Sequence, residues 1–155
     1  MGAERIVVSR MALDHAVRRD NSRTENTFLR VLIVDDHEAV RRGVRAILRS
    51  RPDIEVCGEA VNGQDAIEKA TELKPDLIIL DITMPVLDGF GAAKAIRSRS
   101  PEVPILFYSM NDGRALMESA KAIGANGFIT KSESAMLLLK AVGALSKKET
   151  FFPAL

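Results

Sequence analysis

Five polar side chains close apolar runs in this chain. Asp35 and Asp36 follow FLRVLIV, Asp81 follows LIIL, Ser109 ends VPILFYS and Lys131 follows GFIT. One acid in such a place is ordinarily a turn residue, so any further meaning rests on the set. Brought together, three carboxylates, a hydroxyl and an ammonium group would make an unusual pocket. Like charges a few ångströms apart repel by roughly 1 kcal/mol per pair even in water, and by more when partly buried. A cation among them relieves that repulsion. A few oxygen ligands with room for water and a phosphate suit Mg2+. A carboxylate can attack phosphorus and form an acyl phosphate, whose oxygens then need cations and donors around them. Mg2+, Lys131 and the Ser109 hydroxyl would supply these. Asp81 lies between the others in chain order and is the candidate nucleophile.

The chemistry requires elements that gather these residues. From Phe28 the pattern is regular: FLRVLIV reads as a strand, and Val40, Val44, Ile47 and Leu48 mark one face of a helix. IEVCGEA is a second strand. Ala66, Ile67, Ala70 and Leu73 trace a second helix, which Pro75 should end. LIIL is the third strand, Ala92, Ala93 and Ile96 mark a short third helix after Gly89, and VPILFYS is the fourth strand. Leu116, Ala120 and Ile123 give a fourth helix with Gly124 as its cap. GFIT is a fifth strand, and Ser132 is placed to cap a last helix running to about Leu145. Strands alternating with helices imply an α/β fold, a parallel sheet covered on both faces. Right-handed crossovers then bring all strand exits to one edge, where such folds bind ligands.

Bulk properties narrow the function. The chain has 155 residues, 46% hydrophobic and 28% charged, with a net charge of +1. That suits one domain with a proper core and gives no electrostatic footprint for nucleic acid. The lone Cys57 excludes an internal disulfide, fits a reducing cytosol and reads as a buried thiol. No apolar run is long enough to span a bilayer, and no signal peptide is visible. Residues 1–27 carry scattered charge without a sustained period and read as an N-terminal extension, with a weak helix over 4–19 as one alternative and disorder as the other.

With these residues in order, the chain from about Leu29 to Lys147 resembles the receiver domain of bacterial two-component response regulators. The matching residues are VDD (Val34 to Asp36), LDITMP with Gly89 downstream, Ser109, and GFITK (Gly127 to Lys131). The resemblance implies a flavodoxin-like (βα)5 fold with strand order 2-1-3-4-5. It implies phosphorylation of Asp81 by a histidine kinase or phosphotransfer protein. It implies Mg2+ held by Asp36, Asp81 and the backbone carbonyl of Thr83, with Asp35 acting through water, and Ser109 and Phe128 as a switch pair. The expected organisation is an extension over 1–27, a receiver over 28–147 and a tail over 148–155. The protein is expected in the cytoplasm, with no membrane or nucleic-acid partner in this chain. Output is expected through another protein or a self-dimer docking by the last helix.

Ser132 stands where the family usually has proline, a variant that resembles the LuxR/NarL type. The chain ends at Leu155 without room for a helix-turn-helix domain, which reads as either a single-domain regulator or a fragment. Met110 stands where the family has a small residue, and is expected to crowd the site. His37 reads as a solvated residue at a helix start, since Mg2+ prefers oxygen, and Arg41, Arg42, Arg45 and Arg49 read as the solvated side of the first helix. MLLL (Met136 to Leu139) is wider than one buried stripe, as deep burial or a partner surface would make it, and a partner surface is the favoured of the two. Two rival functions stay open. One is a receiver that docks without phosphorylation; the other is a haloacid-dehalogenase-like phosphohydrolase, for which Thr83 stands where a second acid is needed.

Overall fold

The computed structural model describes residues 28–154; the extension expected over 1–27 lies outside them. Five strands, β1 (Leu29–Val34), β2 (Ile54–Ala60), β3 (Leu77–Leu80), β4 (Ile105–Ser109) and β5 (Gly127–Thr130), alternate with five helices. These are α1 (Glu38–Arg49), α2 (Gly63–Leu73), α3 (Gly89–Arg99), α4 (Arg114–Ile123) and α5 (Ala135–Ser146). Every strand pair is parallel and the order is β2-β1-β3-β4-β5. Val34 lies beside Leu80, Leu80 beside Phe107, and Ser109 beside Thr130. The exits of β1, β3, β4 and β5 are therefore neighbours along one edge.

The period-two alternation of a strand splits the apolar residues between two layers. Leu32, Val34, Ile78, Leu80, Phe107 and Phe128 face Ala66 and Ala70 of α2, Ala92 and Ile96 of α3, and Met117 and Ala120 of α4. Val31, Ile33, Leu77, Ile79, Leu106 and Ile129 face Val44 and Leu48 of α1 and Leu138, Val142 and Leu145 of α5. β3 is covered on both faces, which is why its sequence is apolar without alternation. Each such side chain contributes about 1.5–3 kcal/mol on burial. β3 is thus a rigid base for the residue that follows it.

Several local expectations are corrected. Ser134, not Ser132, caps α5, its side chain accepting from the Leu137 N–H; Ser132 instead shares a hydrogen bond with Thr130. The end expected at Pro75 is borne out: α2 closes on Lys74 in the left-handed region, directly before the proline. In MLLL, Leu138 is buried, Leu139 is partly buried against the same cluster and Met136 is strongly exposed, so the run is divided between core and surface. Cys57 is half-buried, and burial pushes its thiol pKa up, which disfavours the reactive thiolate. The segment after α5 also folds back onto β5, where Phe151 forms a parallel bridge to Gly127.

Candidate functional site

Asp35 and Asp81 are 2% and 4% exposed, and Ser109 3%. The Lys131 side chain reaches the same pocket from the end of β5, with Nζ 2.5 Å from Asp35 Oδ2 and 3.3 Å from Asp81 Oδ1. Its backbone N–H donates to the Ser109 carbonyl at 2.7 Å, which ties the exits of β4 and β5 together. Asp35, Asp81 and Lys131 are therefore in direct contact, with Ser109 joined to them through the backbone. Asp36 lies at the rim beside His37, whose Nδ1 is 3.2 Å from Asp36 Oδ1 and 3.3 Å from Asp35 Oδ1. His37 is exposed, as expected, yet it belongs to the acidic cluster. The Ser109 hydroxyl is turned to its own loop and accepts from the Asn111 N–H at 3.1 Å.

The electrostatics follow from burial. Loss of solvent, and next the charge of Asp35, push the Asp81 carboxyl above the usual carboxylate range; Lys131 and the Ile82 N–H pull the other way. Burial alone would lower the Lys131 ammonium. The close contact with the Asp35 carboxylate and the charges of both acids outweigh it and hold the pKa above the ordinary lysine range. Asp81 Oδ1 takes the Ile82 N–H at 2.9 Å as well as Lys131, whereas Oδ2 makes no hydrogen bond or ion pair with the described residues.

Asp35 Oδ2 and Asp36 Oδ1 are shielded from water with no aligned hydrogen-bond donor, so the Lys131 contact acts on Asp35 as a bare ion pair. Buried carboxylate oxygens left this way are costly, and a hard cation is the group that would satisfy them. The Thr83 carbonyl, in the exposed loop after Asp81, accepts no hydrogen bond from the described residues. These donors fit Mg2+. Position 83 offers no acid, which removes the feature a phosphohydrolase of the rival class requires.

Two supports are built around the acids. Gly89 donates its N–H to the Ile82 carbonyl at 2.7 Å, and a Cβ there would stand 2.0 Å from the Asp81 carbonyl oxygen. Only glycine lets α3 start so close to β3. Arg41 is the residue that sequence reasoning missed. It is not solvated: its Nη1 donates to the Asp35 carbonyl at 2.8 Å and its Nε to Glu59 at 3.0 Å, and Arg45 also pairs with Glu59. Its partner lies 18 residues away, so no local pattern signals the role. Arg41→Ala is expected to destabilise the fold by about 1–3 kcal/mol, the cost of leaving partly buried acceptors unsatisfied; urea unfolding checks it.

Phe128 sits in β5 opposite Phe107 and is fully buried. Met110 is 76% exposed, so its bulk stands outside the packed site.

Comparison with known proteins agrees with this geometry. A family model for the response regulator receiver domain matches residues 31–143. Protein-glutamate methylesterase/protein-glutamine glutaminase 1 of Methanosarcina acetivorans is 45% identical over 108 residues, covering 68% of this chain and 31% of that protein. The transcriptional regulatory protein LnrK of Bacillus subtilis is 40% identical over 114 residues, covering 74% of this chain and 52% of that protein. The crystal structure of a LuxR-family two-component response regulator from Aurantimonas sp. SI85-9A1 superposes with a TM-score of 0.78 at 32% identity, covering 80% of this chain and 89% of that one. The chain thus spans about a third to a half of these two curated relatives.

Proposed function

The chain belongs to the response regulator receiver family, and on that premise we propose that Asp81 is its phospho-acceptor. The observation that carries this reading is the buried Lys131 ammonium held between Asp35 and Asp81 at the strand exits. With Oδ1 engaged by Lys131 and the Ile82 N–H, Oδ2 is the oxygen free to attack. It forms the bond to phosphorus as the donor's bond to phosphorus breaks and the leaving group departs with that electron pair. Lys131 then pairs with the phosphoryl oxygens, and the Ser109 hydroxyl exchanges the Asn111 N–H for one of them. Asp36, Asp81 and the Thr83 carbonyl would hold Mg2+, with Asp35 acting through water. The ion, when bound, neutralises charge on the acids and the transferred group.

The donor is a histidine kinase or phosphotransfer protein in the cytoplasm, and the receiver unit spans 28–147. The chain acts as a switch rather than a turnover enzyme. Ser109 moves while Phe128 stays buried and repacks. Output passes to a second protein or a second copy through α5, where Met136 is 79% exposed. Among the described residues no helix is long and apolar enough to cross a membrane.

The test is intact-mass measurement of the full chain after acetyl phosphate and Mg2+. One added phosphoryl group, removed by hydroxylamine, is expected; no mass gain, or a label that resists hydroxylamine, would sink the reading. Met110 gives a narrower expectation. Exposed and next to Ser109, its long thioether stands on the approach a donor takes to the pocket, so Met110→Ala should speed labelling by acetyl phosphate. An unchanged rate would remove that screening role.

A further inference from the structure

One packed segment is unused by the site. After α5 the chain reverses at Lys148, which takes φ of 65°, and the Glu149 N–H returns to the Ala144 carbonyl. Phe151 then runs parallel to β5: its N–H donates to the Asn126 carbonyl and its own carbonyl accepts from the Phe128 N–H, both at 2.9 Å. β5 is an edge strand, and an uncovered edge invites pairing with another chain. Gly127 makes room for this cover, since a Cβ there would stand 3.0 Å from the Phe151 carbonyl oxygen. Two residues past Phe151, where a parallel ladder needs its next N–H, stands Pro153. The pairing stops at one bridge, so the strap is held lightly.

Its side chains join separate parts of the fold. Phe151 packs against the cluster that includes Leu145 of α5. Phe152 packs against the opposite cluster, to which α4 contributes Met117 and Ala120, and Lys121 of α4 places its ammonium 5.0 Å from the Phe152 ring centroid, within range of a cation–π attraction. α4 is also the element that the loop after Ser109 leads into. Moving the Ser109 hydroxyl toward Asp81 breaks its bond to the Asn111 N–H and so frees a tie on the loop that leads into α4.

We propose that residues 149–153 form a latch on the β5 edge that favours the unmodified arrangement and loosens when an acyl phosphate forms at Asp81. This rests on the reading of Asp81 as phospho-acceptor. The strap contacts exist in the arrangement where Ser109 is turned away, so they stabilise that arrangement over one in which α4 has shifted. Linkage requires the effect to be reciprocal. A weakened latch must raise affinity for a phosphoryl mimic, and the mimic must loosen the latch.

The test uses the full chain with Mg2+ and beryllofluoride as the probe. Amide exchange at Phe128 and Phe151, whose N–H groups bond across the strap, is expected to accelerate when the probe binds. Phe152→Ala and the surface change Lys121→Ala, which removes the cation over the ring together with its ion pair to Glu118, should each bind beryllofluoride about fivefold tighter or more, the lower range of site-to-site coupling. If the wild type binds the probe but either the exchange or the affinities stay unchanged, the latch is wrong and the site reading stands. If wild type and Asp81→Asn respond alike to the probe, the site reading fails and the latch with it.

Discussion

Asp81→Asn should abolish phosphoryl labelling by acetyl phosphate, keep the fold, and be more stable than the wild type at pH 7. Labelling goes because the amide cannot attack phosphorus as a carboxylate does. The fold stays because the swap is nearly isosteric and β3, which positions residue 81, is buried on both faces. The stability gain follows from the sign of the pKa shift. Asp81 is raised above its ordinary value by burial first and by Asp35 second, so the folded state holds its proton more tightly than the unfolded one. Ionisation of Asp81 then costs stability as pH rises past the unfolded value, and the cost is complete above the folded one. The Asn variant escapes it. Its advantage should shrink as pH falls toward and below the unfolded carboxylate value, where wild-type Asp81 is neutral in both states. Urea unfolding at pH 7 and at pH 4 reads both parts, and an Asn variant less stable than wild type at pH 7 would contradict the account.

Lys131→Ala should have the largest effect on stability. The ammonium is 7% exposed and faces two carboxylates that are themselves buried. Removing one member of a buried ion pair leaves uncompensated charge and costs about 3–5 kcal/mol. The Lys131 pKa is raised, since attraction from Asp35 and Asp81 outweighs burial. Its contribution is therefore complete below the unfolded lysine value and lost as pH rises through the folded one. The deficit of the Ala variant should be full at pH 7. It should lessen on acidification, as Asp81 takes up a proton and needs the cation less. Combining Lys131→Ala with Asp81→Asn should recover part of the loss, because contacting residues are not additive. A variant with wild-type stability at pH 7 would mean that Lys131 does not compensate the acids.

The frame of the site was legible because parallel strands buried on both faces give continuous apolar runs, and their exits were marked by Asp35, Asp81, Ser109 and Lys131. Those marks needed no tertiary information beyond the handedness of crossovers. Arg41 was not legible, since an arginine on the first helix looks solvated until Glu59 and the Asp35 carbonyl are placed beside it. The strap was hidden for a related reason. KKETFF has no strand period of its own, and its conformation is set by the open edge of β5 and by the missing side chain at Gly127. Ser132 and Ser134 are equally good caps by type; the turn at Thr130 takes the first and leaves the second to α5. The direction of the Ser109 hydroxyl depends on a loop conformation that no local pattern encodes.

The central claim is that Asp81 itself receives the phosphoryl group. Borohydride reduces an aspartyl phosphate to homoserine, so reduction of the labelled chain followed by peptide sequencing in a mass spectrometer locates the acceptor directly. The account predicts homoserine at position 81, dependent on Mg2+ and on acetyl phosphate. Homoserine at position 35 or 36 with residue 81 intact would contradict it.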